Sequence, residues 1–150
     1  MNWIVCKGEL KDASAIAQFQ LDMAMESEGT QLDYDLVLKG VTAALQDENK
    51  GTYLIARSSE GEPVASLLLT REWSDWTCAW YWWIQSVFVK QELRRKGVYS
   101  SLYTFVKRLA AENHVHTLRL YVDKYNEKGL KTYSNLGMHE SHYLLFEQDI

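Results

Sequence analysis

Three cations, Arg94, Arg95 and Lys96, stand directly ahead of Gly97, and the apolar run Val87-Phe88-Val89 precedes them. From Val98 onward the residue types repeat with helical spacing. A strand that empties into a basic turn and then a helix mouth gathers unbonded backbone N–H groups, a positive helix end and cationic side chains around one point. Such a point binds anions, most naturally a pyrophosphate. Gly97 lets the chain turn tightly and a ligand approach its backbone. From these residues alone, a solvated turn with an incidental glycine reads equally well.

A second group is aromatic and acidic. Five of the six tryptophans fall between Trp73 and Trp83. Trp73, Trp76 and Trp83, with Gln85 beside them, could wall a pocket for a cationic amine through cation–π attraction, with Asp75 or Glu26 as counter-charge. The same residues could equally form an overloaded core or the face of a homodimer.

The elements that must position these groups follow from periodicity. A short strand spans 3–8. A helix from Lys11 to about Glu28 carries Ala13, Ile16, Ala17, Leu21, Ala24 and Met25 on one stripe, and Gly29 stops it. A second helix runs from about Asp33 to Gln46. Strands are expected at 52–58, at 64 to about 71 and at 79–89, with a turn at 59–62. A helix then spans 97–113, its inner stripe Val98, Leu102, Phe105, Val106, Leu109 and Ala110. A strand at 117–122, a helix at 126–136 and a last strand at about 141–147 complete the order βααβββαβαβ, a mixed α/β sheet with helices on both faces.

The 150 residues, 47% of them hydrophobic with one proline and no low-complexity run, suit a single domain with a real core. A net charge of −4 argues against a nucleic-acid partner. Cys6 and Cys78 lack metal-ligand spacing, so no metal is expected. Neither a signal peptide nor a membrane-length apolar run is evident, and a soluble cytoplasmic protein is the expectation.

The pattern Arg94-x-x-Gly97-x-Tyr99 resembles the coenzyme-A-binding signature Q/R-x-x-G-x-G/A of the GNAT N-acetyltransferase superfamily. The stretch Leu120 to Met138, with Asn126, Tyr133 and Gly137, is similar to that family's other hallmark of strand, asparagine, helix, tyrosine and glycine. Tyr99 departs from the pattern, which has a small residue there. Gly129 stands where the family usually has alanine.

The resemblance implies acetyl-coenzyme A as cosubstrate, with transfer to a primary amine of a small molecule or peptide by direct attack through a tetrahedral intermediate. It implies that the backbones of Val87 and Val89 pair with the pantetheine arm, that the amides of Arg95, Lys96, Gly97, Val98, Tyr99 and Ser100 meet the pyrophosphate with Arg94 and Lys96 adding charge, and that a backbone N–H near Val87 polarises the carbonyl. Asn126 would bond the pantetheine; a helix N-cap is its alternative. Tyr133 would protonate the leaving sulfur as general acid, or else be a core tyrosine. Deprotonating an alkylammonium of pKa about 10 costs about 4 kcal/mol at pH 7. The strand Trp82-Trp83-Ile84-Gln85-Ser86-Val87 has no acid to help, which leaves Glu26, Asp75 or water. A non-catalytic coenzyme A module and an acyltransferase for longer chains stand as alternatives.

Overall fold

The computed structural model describes residues 2–150 and divides into two compact units, with the chain boundary between Leu120 and Tyr121. The first unit holds β1 (Ile4–Lys7), α1 (Ala13–Glu28), α2 (Tyr34–Gln46), β2 (Thr52–Arg57), β3 (Pro63–Ser74), β4 (Ala79–Val89), α3 (Val98–Glu112) and β5 (Val115–Arg119). The second holds α4 (Glu127–Asn135).

The five strands form one sheet in the order β1-β2-β3-β4-β5, antiparallel except for the parallel pair β4 and β5. Parallel neighbours need a crossover, and α3 supplies it. Side chains alternate across each strand, so the two sheet faces have separate cores. On one face Tyr53, Ile55 and Leu68 pack against Ala13, Ile16 and Ala17 of α1 and Val41 and Ala44 of α2. On the other, Leu54, Leu67, Leu69 and Ile84 are buried, as are Val98, Leu102 and Val106 of α3.

Local signals set the helix ends. The Asp33 side chain accepts from Leu36 N at 3.1 Å and caps α2. Gly29 closes α1, its N–H donating to Met25 O at 3.0 Å. Ahead of α1, buried Asp12 accepts from Glu9 N at 2.8 Å and from Arg57 Nη2 at 2.7 Å, locking the helix entry to the end of β2. That pairing raises the Arg57 pKa further.

Three expectations change. Residues 141–147 form no strand. The apolar run Tyr143-Leu144-Leu145-Phe146 has strand character, but pattern cannot supply a ladder partner; Phe146 is 89% exposed. β5 begins at Val115 and ends at Arg119, earlier than 117–122. β3 runs on to Ser74, three residues beyond the expected end, because the hairpin with β4 stays in register to its tip.

Among the described residues no helix is long and apolar enough to cross a membrane, and no group of three His, Cys, Asp or Glu residues could hold a metal.

Candidate functional site

The ladders of β4 are interrupted on both sides within a few residues, past Trp83 toward β5 and at Ser86 and Val87 toward β3. Toward β3, Leu68 faces Gln85 and Ser66 faces Phe88, so Ser86 and Val87 together oppose the single residue Leu67. This is a β-bulge, and Ser86 takes a left-handed φ of 51°. Toward β5, the last register pair is Trp83 with Arg119. From Ile84 to Val89 β4 has no β5 neighbour, so its backbone there is open along one edge. The bulge and the open edge together leave main-chain groups around Val87 unpaired by the sheet, a slot along that edge able to take an amide-bearing chain as a further strand.

The slot leads into the basic turn. Arg95 and Gly97 both have left-handed backbone, with φ of 63° and 80°. A Cβ added at Gly97 would meet nothing within 4 Å, so glycine serves the backbone angle and leaves the approach open. The first helical N–H to find its acceptor is Ser101, bonded to Gly97 O at 3.0 Å, and the amides before it lie in the unpaired first turn. Trp3 Nε1 donates to Lys96 O at 3.0 Å and steadies the turn from β1's side.

The three cations divide. Arg94 donates Nε to Val89 O at 2.9 Å and Nη2 to Glu26 at 2.6 Å, with its guanidinium 5.7 Å from the Phe88 ring. It braces the turn against β4 and α1. Arg95 and Lys96 are exposed. Tyr99 is half-buried and stacks along the helix on Tyr103, ring centroids 6.2 Å apart. That direction explains how a bulky residue is accommodated so near the helix mouth.

The sheet face shared with α1 and α2 carries a polar and aromatic row beside the slot. Gln85 donates to Thr70 Oγ1. Trp83 Nε1 donates to Glu72 Oε1 at 2.9 Å, and Arg119 Nη1 donates to Glu72 Oε2 at 2.9 Å. Glu72 and Arg119 are absent from the sequence reading. The signal lay in strand register: once β3 runs to Ser74, Glu72 must face Tyr81 on this side.

Trp73, Asp75 and Trp76 lie elsewhere. Trp73 packs edge-on against Trp80 at 5.0 Å, and Asp75 and Trp76 occupy the exposed hairpin turn. From that tip to Val87 is a strand length of about 30 Å at about 3.3 Å per residue. Five tryptophans close in sequence are therefore divided between the tip, the core (Trp82) and the polar face (Trp83). Glu26, at the end of α1, is paired with Arg94 of the basic turn.

Within the second unit, Asn126 Oδ1 accepts from Gly129 N at 3.0 Å and caps α4. A Cβ at Gly129 would come within 2.7 Å of Asn126 Nδ2 and 3.1 Å of Val122 Cγ2, which accounts for glycine inside a helix. Tyr133 is half-buried, and burial raises its pKa above the ordinary 10.0, so the phenol holds its proton at neutral pH.

A family model for the acetyltransferase (GNAT) family matches residues 15–138. A possible acetyltransferase from Clostridium difficile 630 shares 38% identity, with a TM-score of 0.91 over 100% of this chain and 99% of its own. A ribosomal-protein-alanine N-acetyltransferase from Brucella melitensis biovar Abortus 2308 is 19% identical, TM-score 0.81, covering 99% of each chain. A predicted acetyltransferase from Clostridium acetobutylicum, solved with acetyl-CoA, is 14% identical, TM-score 0.77, over 98% of this chain and 96% of that one. The last two likenesses speak to fold alone. No curated protein matches the chain. With a bulged strand that outruns its parallel neighbour and leads into a basic helix mouth, and a family model spanning both, the chain belongs to the acetyltransferase (GNAT) family.

Proposed function

We propose that this chain is an N-acetyltransferase that moves the acetyl group of acetyl-coenzyme A to a primary amine. The observation that carries the reading is the open edge of β4 from Ile84 to Val89, continuous with the amides of the basic turn. An extended arm rich in amides, ending in a pyrophosphate, has the chemistry to fill both. Val87 and Val89 act through their backbones. Arg95, Lys96, Gly97, Val98, Tyr99 and Ser100 receive the diphosphate, and Arg94 holds that turn in place. When bound, the coenzyme supplies the activated acetyl group.

A main-chain N–H at the bulge stabilises the oxyanion, worth about 3 kcal/mol for one well-aimed donor. Tyr133 returns a proton to the departing sulfur, and its raised pKa keeps it in the acid form. With Glu26 engaged and Asp75 at the hairpin tip, the acceptor amine loses its proton to water. The acceptor approaches from the α1/α2 face, where Thr70, Trp83 and Gln85 line the sheet.

The test is equilibrium binding of coenzyme A. Replacing Arg95 and Lys96 together with alanine should weaken binding at least about fivefold and flatten its salt dependence. Unchanged affinity in the double variant would remove the turn from the site.

A further inference from the structure

We propose that the groove between β1 and the first turns of α3 receives the nucleotide end of coenzyme A, with Arg108 as the partner of the phosphate on its ribose. The proposal rests on the coenzyme reading above and adds to it the residues that recognise the adenosine.

The groove is an open hollow of about 450 Å³, bounded by Trp3 and Val5 on one side and by Ser100, Thr104, Phe105 and Arg108 on the other. That volume lies within the range of about 300–1,000 Å³ usual for small-molecule sites. Trp3, Val5 and Phe105 give it a flat apolar lining of the kind a purine base fills. Ser100, Thr104 and Arg108 give it a polar rim. The two kinds of surface together match a nucleoside phosphate better than an apolar ligand or a bare anion.

Ser100, Thr104 and Arg108 follow one another in steps of four, so they stand one above the next along one flank of α3. From Ser100 to Arg108 the helix rises about 12 Å, at about 1.5 Å per residue. The buried stripe Val98, Leu102 and Val106 takes the inner side, which turns this flank outward.

Two residues join the groove to the basic turn. Ser100 lines the groove with its side chain, and its amide belongs to the set that receives the diphosphate. Trp3 Nε1 donates to Lys96 O at 3.0 Å, which ties the groove's β1 side to the turn itself. A ligand whose diphosphate rests on the turn therefore has two ways onward. The open edge of β4 takes the amide-bearing arm, and the groove takes what lies on the other side of the diphosphate. In coenzyme A that is an adenosine whose ribose carries a further phosphate.

Arg108 suits that phosphate. Its guanidinium lies over the Phe105 ring, 4.7 Å from the centre, and its contact with Glu112 is 3.8 Å long. Such a separation exceeds a hydrogen bond, and both side chains are exposed, so the pair is weak and yields to a phosphate. The planar fork can stay on the ring while its edge binds the anion. A base entering between Trp3 and the stacked pair meets aromatic surface on one side and a cation on the other.

The experiment measures, by calorimetry on the full chain, the Kd for coenzyme A, for dephospho-coenzyme A, which lacks the ribose phosphate, and for phosphopantetheine, which lacks the nucleotide. The proteins compared are the unaltered chain, Arg108→Gln, Arg108→Lys and Thr104→Phe, which fills the groove from an exposed helix position. The unaltered chain should bind coenzyme A at least about fivefold more tightly than dephospho-coenzyme A. Arg108→Gln should erase that preference and Arg108→Lys keep part of it. Thr104→Phe should weaken both nucleotides at least about fivefold and leave phosphopantetheine within about twofold. A preference that survives Arg108→Gln, no preference in the unaltered chain, or a Thr104→Phe loss shared equally by phosphopantetheine would each overturn the groove assignment and leave the coenzyme reading standing. An unaltered chain that binds none of the three ligands would remove the coenzyme reading, and the groove assignment with it.

Discussion

Glu26 at the end of α1 and Arg94 in the basic turn meet at 2.6 Å although 68 positions separate them in the chain. The contact holds the basic turn against the end of α1. Both side chains are substantially exposed, so the pair contributes less than about 1 kcal/mol to folding. Glu26→Gln should leave the urea midpoint nearly unchanged and kcat within about threefold, whereas loss of a true general base costs about 100-fold or more. Steady-state kinetics distinguish the two.

Asp75 and Trp76 sit at a hairpin tip about 30 Å along the strand from Val87. Asp75→Asn and Trp76→Ala should each leave kcat/KM for a small amine within about twofold, since no contact with the reacting atoms is lost. A drop of tenfold or more in either variant would bring the tip into the site.

How much of this was legible in the sequence depended on whether a feature is local. The bounds of β4, the Gly29 stop and the capping alternative for Asn126 are all local chemistry, and the structure carries each of them. The family was legible from two short motifs. Glu72 was not, because its role depends on β3 continuing beyond Arg71 in register with β4. The commitment of Arg94 to Glu26 was equally hidden, since it joins residues remote in the chain. Residues 141–147 failed in the opposite sense: their composition suits a strand, but a strand exists only beside another.

Ser86 holds a left-handed φ of 51° at the bulge, a conformation that costs a residue with a side chain about 1 kcal/mol or more. Ser86→Gly should be neutral or slightly stabilising, and Ser86→Val should lose about 1 to 3 kcal/mol, with a larger loss of activity than of stability if the bulge places the oxyanion donor. Chemical denaturation and kcat measured on both variants check this.

The Asp12–Arg57 pair is the buried ion pair of the first unit, 3% and 15% exposed. Removing the carboxylate strands a shielded guanidinium and the Glu9 N–H. Asp12→Ala should therefore destabilise the fold by about 3 to 5 kcal/mol, read as a fall in urea midpoint at constant slope.

Tyr133 carries a pKa raised by burial. Its phenol stays protonated through neutral and mildly alkaline pH, while the acceptor amine loses its proton as pH rises. Activity should climb toward pH 10, and any decline owed to Tyr133 should fall above its ordinary value of 10.0. The sign for stability agrees: the folded state holds this proton more tightly, so its contribution is present below pH 10 and lost above it.

Release of coenzyme A thiol from acetyl-coenzyme A tests the central claim most directly. It should be followed across polyamines, aminoglycosides, amino acids and lysine peptides, for the unaltered protein and Tyr133→Phe. The account predicts release that depends on one class of amine, and a kcat at least about tenfold lower in Tyr133→Phe with little change in KM for acetyl-coenzyme A. Measurable coenzyme binding with no amine-dependent release from any of them, or equal rates from both proteins, would contradict it.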